Sequence, residues 1–374
     1  MTLRRRADVS FLFLGETLLV PHLWPVVDVL ATLHPEFTID VWVGNSEVER
    51  LIAPLIVHKS IRLRRAPGYS GGFAALPARK LVMLGLLARH LRVPVVVCAE
   101  QTSLWLPTVF RLKTRYVKTS HGAGSVSARD DKRRKAAAVM LVPGPLERQT
   151  YLDRGFDPAR VIATGYVKSA YRPAAPLSLG FDQPRPTVIY VPHWRAKGSS
   201  WWQWGREIVA WFSQQNDYNF IFAPHQRLIE GDAEVGAIAQ RVNGLPHGHS
   251  DLGADALIDG SYLRAADIYL GDCSSQVVEF ATVPRPCVFL NAQGGDWRGR
   301  GDYGFWNLGE VVSEMASLKP ALARAQGDHI LFAPLQRQFT ELALGTLGEA
   351  APRAVVDQVL KQRQAYYAGS ANHE

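Results

Sequence analysis

A histidine followed by Gly-X-Gly stands directly after a β-branched run, in Lys118-Thr119-Ser120-His121-Gly122-Ala123-Gly124-Ser125. Small neighbours leave room for a substrate hydroxyl, and an imidazole there can take its proton as a general base near neutral pH. The glycines let backbone and ligand approach closely. A tight turn whose histidine caps a neighbouring helix uses the same residues, so spacing alone leaves both readings open.

Two further apolar runs end alike, one in Pro192-His193-Trp194-Arg195 and the other in Pro224-His225-Gln226-Arg227. A cation beside an aromatic ring at a strand terminus suits a phosphate or a base. His225 and Arg227 could neutralise a diphosphate as its bond breaks, an electrostatic role of high value in phosphoryl chemistry. Each ending alone is also what a proline-stopped strand with surface residues looks like. Trp201, Trp202 and Trp204 follow at near-helical spacing and read as packing.

The fourth constellation is Gly271-Asp272-Cys273-Ser274-Ser275, with Glu279 four residues beyond Ser275. Consecutive serines at a helix start, with free N–H groups, form an anion site that needs no metal. An ordinary serine N-cap is the plain alternative. Glu279 is near enough to contact a ribose or to brace the loop. Asp272 is a lone carboxylate with no second one spaced to share a cation, so no metal is expected. Cys273 reads as a small buried residue.

The elements that must position these groups alternate between strand and helix, which is the pattern of parallel sheets covered by helices. Residues 9–14, 38–44, 93–99, 116–119 and 138–142 read as strands, and 21–33, 46–55 and 76–90 as helices. Residues 69–72 read as a Gly/Ser loop after the basic run 62–65. The proline-rich stretch 170–186 is a linker candidate. Strands at 187–191, 219–223, 268–270 and 287–290 follow, with helices at 203–215, 275–281 and 352–367. The expected domains are 1–172, 173–350 and a C-terminal helix at 351–374 that packs back on the first. Ligands of open α/β sheets bind at the carboxyl ends of the strands, where all four constellations lie.

Bulk properties agree. A chain of 374 residues, 47% hydrophobic and 20% charged, is globular and long enough for two cores. The most apolar stretch, 11–29, is broken by Gly15, Glu16, Pro21, His22 and Pro25, which argues against a membrane span. Arg4, Arg5 and Arg6 precede apolar residues as in a signal peptide, but no cleavage pattern follows, so a cytoplasmic location is expected. Three cysteines without metal-type spacing fit a reducing compartment. The net charge of +8 favours anionic company, a nucleotide or phosphorylated substrate or the inner face of an acidic membrane. No nucleic-acid-binding signature accompanies it.

Taken in order, the two Pro-His strand ends and Gly271-Asp272-Cys273-Ser274-Ser275-Gln276-Val277-Val278-Glu279, with Arg285-Pro286 beyond, resemble the CDP-glycerol glycerophosphotransferase family, which includes teichoic-acid primases and polymerases. Ser120-His121-Gly122 is similar to its Trp-His-Gly loop, residues 161–171 around Gly165-Tyr166 to the segment leaving its first domain, and Asp302-Tyr303-Gly304 to its aromatic-rich loop. The resemblance spans about 116 to about 306. This chain has Ser120 where the family has Trp, His193 for Thr, Gln226 for Pro and Cys273 for Tyr.

The resemblance implies a GT-B fold: α/β, with two Rossmann-like, doubly wound parallel sheets facing across a cleft. It also implies transfer of a polyol phosphate from a CDP-activated donor without a cofactor. In that picture His121 is the catalytic base and His225 the second catalytic histidine, beside the donor phosphates. Ser274 and Ser275 hold the diphosphate, with Arg195, His193, Arg227, Glu279 and Asp272 on the donor side. Gly122 and Gly124 stand on the acceptor side, and Glu16, outside the stretch that carries the resemblance, is expected there too. The acceptor would be a glycan or lipid at an anionic membrane. A GT-B glycosyltransferase using a nucleotide sugar is the alternative. A non-catalytic protein docked on an anionic membrane through its basic runs at 4–6, 62–65 and 132–135 is a third class.

Overall fold

The structure, a computed structural model, describes residues 6–71, 79–90, 93–120, 131–173, 177–250, 252, 255–272, 274, 276–299 and 301–371. Its first sheet contains β1 (Val9–Phe13), β2 (Ile39–Asn45), β3 (Ile61–Ser70), β4 (Val95–Cys98), β5 (Arg115–Thr119), β6 (Val139–Val142) and β7 (Val161–Ala163). Its second contains β8 (Thr187–Val191), β9 (Asn219–Phe222), β10 (Gly248–His249), β11 (Ile268–Gly271), β12 (Cys287–Leu290) and β13 (Glu310–Val312).

β1, β2, β4, β6, β8, β9, β11 and β12 are buried along their whole lengths. A run of Val, Ile, Leu and Phe buried on both faces needs helices on both sides, which is the setting of parallel sheets. Every strand pair is parallel. Alternate residues feed opposite faces. Val9, Phe11, Phe13 and Val41 join one core, while Leu12, Trp42, Val96 and Cys98 join the other.

The strand orders are β3-β2-β1-β4-β5-β6-β7 and β10-β9-β8-β11-β12-β13. Each chain path runs outward from its first strand, then returns to that strand's other side. The first sheet therefore has a switch point between β1 and β4, and the second between β8 and β11. Connections leave in opposite directions there and open a crevice at the strand ends.

The chain forms two compact units, Met1–Ala174 with Glu341–Glu374, and Ala175–Thr340. The chain rejoins the first unit at Glu341 rather than at 351 because residues 342–348 already pack on it. A Cβ on Gly144 would lie 2.4 Å from the Leu342 carbonyl oxygen. Tyr166 N–H donates to the Thr346 carbonyl (2.9 Å), and Gly348 N–H to Ser169 Oγ (2.8 Å). The helix Ala350–Ala371 then buries Val355, Val356 and Val359 in the core that holds Val26 and Val27 of the helix Val20–Leu33.

Gly165 fits only as glycine. Its φ is +92°, and a Cβ would meet the Thr346 carbonyl oxygen at 2.4 Å. Gly165→Ala is expected to lower the unfolding free energy by about 1–3 kcal/mol, from left-handed strain and the close contact together. Urea denaturation of the two proteins checks this, and an unchanged midpoint would contradict it.

Two readings of the sequence are corrected here. Residues 62–70 are not a basic run followed by a loop but most of β3, an edge strand. Arg62 and Arg64 reach Asp40 of β2 at 2.6 and 3.4 Å, and Arg65 reaches Glu49 at 3.1 Å. Charges of this kind are tolerated, even favoured, at an edge. The same pairing offsets part of the positive charge of this run. The helix Leu318–Leu344 was also unread, because Gly327 and Pro334 interrupt its pattern. No helix among the described residues is long and apolar enough to cross a membrane.

Candidate functional site

The loops after β8, β9 and β11 bring the second unit's candidates together. At the end of β8, His193 turns its imidazole back so that Nδ1 accepts the Arg195 N–H at 3.1 Å. At the end of the neighbouring β9, His225 Nδ1 accepts the Arg227 N–H, also at 3.1 Å. With Nδ1 accepting, the ring proton of each neutral imidazole resides on Nε2, which is left as a donor. The proline before each histidine stops the strand, and the His225 contact caps the short helix Gln226–Gly231.

Trp194 links the two endings. The guanidiniums of Arg195 and Arg227 lie 4.8 and 4.9 Å from its ring centroid. His193 stacks on it at 5.9 Å, and His225 lies 6.1 Å away. Two cations on one indole, with two N–H donors beside them, make a face suited to an anion carrying oxygen acceptors.

Burial, followed by the nearby His193 and Arg227, pushes the His225 imidazole down to about 4. Burial also lowers His193. Neither histidine therefore brings a positive charge at neutral pH in the unliganded chain. In the unliganded chain the positive charge beside Trp194 therefore comes from the two guanidiniums, while each imidazole keeps an Nε2–H donor.

Asp272 is also placed differently from the donor-side contact expected of it. It is wholly buried at the end of β11. Its Oδ2 accepts the N–H of His193 at 2.8 Å and of Ser200 at 2.9 Å, so one carboxylate oxygen fixes both ends of the loop that carries His193, Trp194 and Arg195. Ser200 Oγ and the Tyr190 hydroxyl are 2.7 Å apart beneath it. The other oxygen, Oδ1, has no hydrogen-bond partner among the described residues. Burial outweighs the two N–H bonds and raises the carboxyl to about 7. Its work is positioning. A carboxylate written after a strand gives no sign of whether it will point outward or under the next loop.

Ser274 is half-buried and accepts the Gln276 N–H at 3.3 Å, as an N-cap does. The helix it precedes spans Gln276–Phe280 among the described residues. Glu279 is half-buried on that helix. Ser275 and Cys273 lie outside the described residues.

In the first unit, Glu16 is exposed on the loop after β1, beside the switch point, and its carbonyl accepts the Leu19 N–H at 3.1 Å. β5 leads to Ser120, whose N–H donates to the Leu141 carbonyl (2.9 Å) and whose Oγ donates to Glu147 Oε1 (2.5 Å). His121, Gly122 and Gly124 lie outside the described residues. Sequence reasoning missed Glu147, a carboxyl raised by burial that anchors the residue before His121. It also gave no role to Lys118, buried and brought down to about 8 by that burial. The signal was a lysine inside a β-branched run.

Of the three tryptophans read as packing, Trp204 lies partly buried against the core, Trp202 is exposed, and Trp201 alone packs fully. It is buried, stacks on Phe222 at 5.4 Å and donates from Nε1 to Asp232 at 2.8 Å. Among the described residues, no group of three or more His, Cys, Asp or Glu is placed to hold a metal ion.

Two parallel sheets of seven and six strands, each with its own switch point, define the GT-B class of α/β folds. Solved structures agree. The wall teichoic acid polymerase TagF matches with a TM-score of 0.63 at 14% identity, covering 96% of this chain and 89% of that one. A variant of TagF soaked with CDPG matches with a TM-score of 0.62 at 13% identity over 96% and 88% of the two chains. The UDP-GlcNAc 2-epimerase of Neisseria meningitidis, bound to UDP-GlcNAc, matches with a TM-score of 0.59 at 14% identity over 94% and 99%. No protein-family model matches the chain, and no curated protein matches it in sequence.

Proposed function

We propose that the chain is a transferase that moves a glycerol phosphate or similar polyol phosphate from a CDP-activated donor to a hydroxyl of a cell-envelope glycan or lipid. The observation that carries this is the paired Pro-His-X-Arg endings around Trp194 at the second sheet's switch point, where Ser274 follows the adjacent β11. Two guanidiniums and two neutral N–H donors suit a diphosphate, and they stand where open sheets bind ligands. The likeness to TagF adds weight at the level of the fold.

In this reading the acceptor oxygen attacks the polyol-bearing phosphorus while His121 takes its proton. The bond from that phosphorus to the bridging oxygen breaks, and CMP leaves with the electron pair. Arg195, Arg227, Ser274 and the Nε2–H groups of His193 and His225 stabilise the growing negative charge, and no step calls for a metal or other cofactor. The enzyme would work in the cytoplasm, at the inner face of an acidic membrane where such acceptors lie.

A nucleotide-sugar donor is the second reading, favoured by the likeness to the epimerase bound to UDP-GlcNAc. Thermal shift of the full chain with CDP-glycerol, CDP-ribitol and UDP-GlcNAc separates the two. A true donor at 100 times its Kd adds about 2.7 kcal/mol of stability. Stabilisation by a CDP-alcohol is the expected result. Stabilisation by UDP-GlcNAc alone would favour glycosyl chemistry, and a flat response to all three would remove both readings.

A further inference from the structure

Beside the cationic face, and within the same unit, a cavity of about 170 Å³ opens between the turn that follows Arg195 and the segment that follows β12. Lys197 and Ser199 form one wall. Asn291, Asp296, Trp297 and Trp306 form much of the rest. Gln293, also in the lining, donates from Nε2 to the Ala196 carbonyl at 2.6 Å and so ties the two walls together.

The cavity is built rather than incidental. Asn291 Nδ2 donates to the Gly295 carbonyl at 3.0 Å and to Ser313 Oγ at 3.2 Å, which fixes the turn between them. Trp297 meets Trp306 edge-on at 5.7 Å, and Trp306 stacks in turn on Phe289 of β12 at 6.3 Å. The indoles are thus held from the sheet outward.

Size and chemistry narrow the occupant. Whole drug-sized ligands fill about 300–1,000 Å³, so this space takes a fragment, not an entire nucleotide. Indole faces accept C–H surfaces, while amide, hydroxyl and carboxylate groups around them accept and donate hydrogen bonds to hydroxyls. Asp296 opposes a phosphate here and offsets Lys197, in contrast to Trp194, which is flanked by two guanidiniums and two neutral imidazoles. The single loop held by Asp272 carries His193 and Arg195 on its first half and Lys197 and Ser199 on its second. It therefore presents adjacent sites for a charged and an uncharged part of one molecule.

We infer that this cavity receives the polyhydroxylated carbon unit, a polyol chain or a sugar ring, that the donor carries beyond its diphosphate. The inference rests on the reading of the second unit as the donor-binding one. Titration calorimetry of the full chain tests it, with CDP and UDP as bare nucleotides and CDP-glycerol, CDP-ribitol and UDP-GlcNAc as conjugated ones.

Trp297→Ala is expected to weaken a conjugated donor about tenfold while changing the matching bare nucleotide less than twofold. Gln293→Ala, on an exposed turn, should give the same contrast at about threefold and serves if the tryptophan variant fails to fold. The conjugate that shows the contrast tells chain from ring. Equal weakening of both ligand types, or of neither, would overturn the inference while leaving the donor-binding unit intact. Absence of binding by every nucleotide would remove that reading, and this inference with it.

Discussion

Asp272→Ala is expected to destabilise the chain by about 2–6 kcal/mol, because the part-buried His193 N–H and the buried Ser200 N–H then lose their acceptor, at about 1–3 kcal/mol each. Asp272→Asn keeps the shape and one amide acceptor, so it isolates the charge. The folded carboxyl sits near 7, above its ordinary value of 3.8. Between those values the native state holds a proton that the unfolded state has released. Stability from this group is therefore complete below about pH 4 and lost as pH rises through about 7, at roughly 1.4 kcal/mol for each pH unit of separation. His225 works the other way. Its imidazole is depressed in the folded chain, so its contribution grows as pH rises from about 4 towards the ordinary histidine value. The two slopes oppose, and the quantity to follow is the difference between wild type and Asp272→Asn. Urea denaturation at pH 4.5, 6 and 8 should show that difference shifting steadily in favour of the variant. A difference independent of pH would mean the carboxylate is not held as described.

His121→Ala is expected to lower kcat by about 10²–10⁴, the range for loss of a positioned base, with donor affinity unchanged. The support for that residue's position begins one residue earlier. β5 is the fifth strand of seven, and Ser120 at its end is anchored to both Glu147 and the Leu141 backbone. The check is turnover by the full chain with a CDP-alcohol and a hydroxyl acceptor, alongside calorimetric donor binding. Turnover within threefold of wild type would exclude His121 as the base and restore the non-catalytic reading.

The interior of the fold was legible and its edges were not. β4 and β12 are unbroken runs of apolar residues, and β1 and β8 are broken only by Ser10 and Thr187, because both faces are covered, and such runs declare themselves. β3 carries arginines that only its edge position and the carboxylates of Asp40 and Glu49 make sensible. β10, with two residues, owes its existence to β9 rather than to its own sequence. In the candidate site, residue type and strand-end position were readable for His193, Arg195, His225 and Arg227. The protonation of the two histidines was not, since it follows from burial and from the charged groups the fold brings near them, which spacing does not encode. Asp272 shows the same limit. So do Trp297 and Trp306, whose separation in sequence hides an edge-on contact.

The return of residues 341–374 to the first unit has a consequence for biogenesis. On the ribosome the nascent polypeptide emerges from its amino end, and domains generally fold as they become complete. The amino-terminal sheet would then wait, one flank of its core uncovered, until Val355, Val356 and Val359 emerge. The nested second unit, contiguous in sequence, could mature while its host is still unfinished.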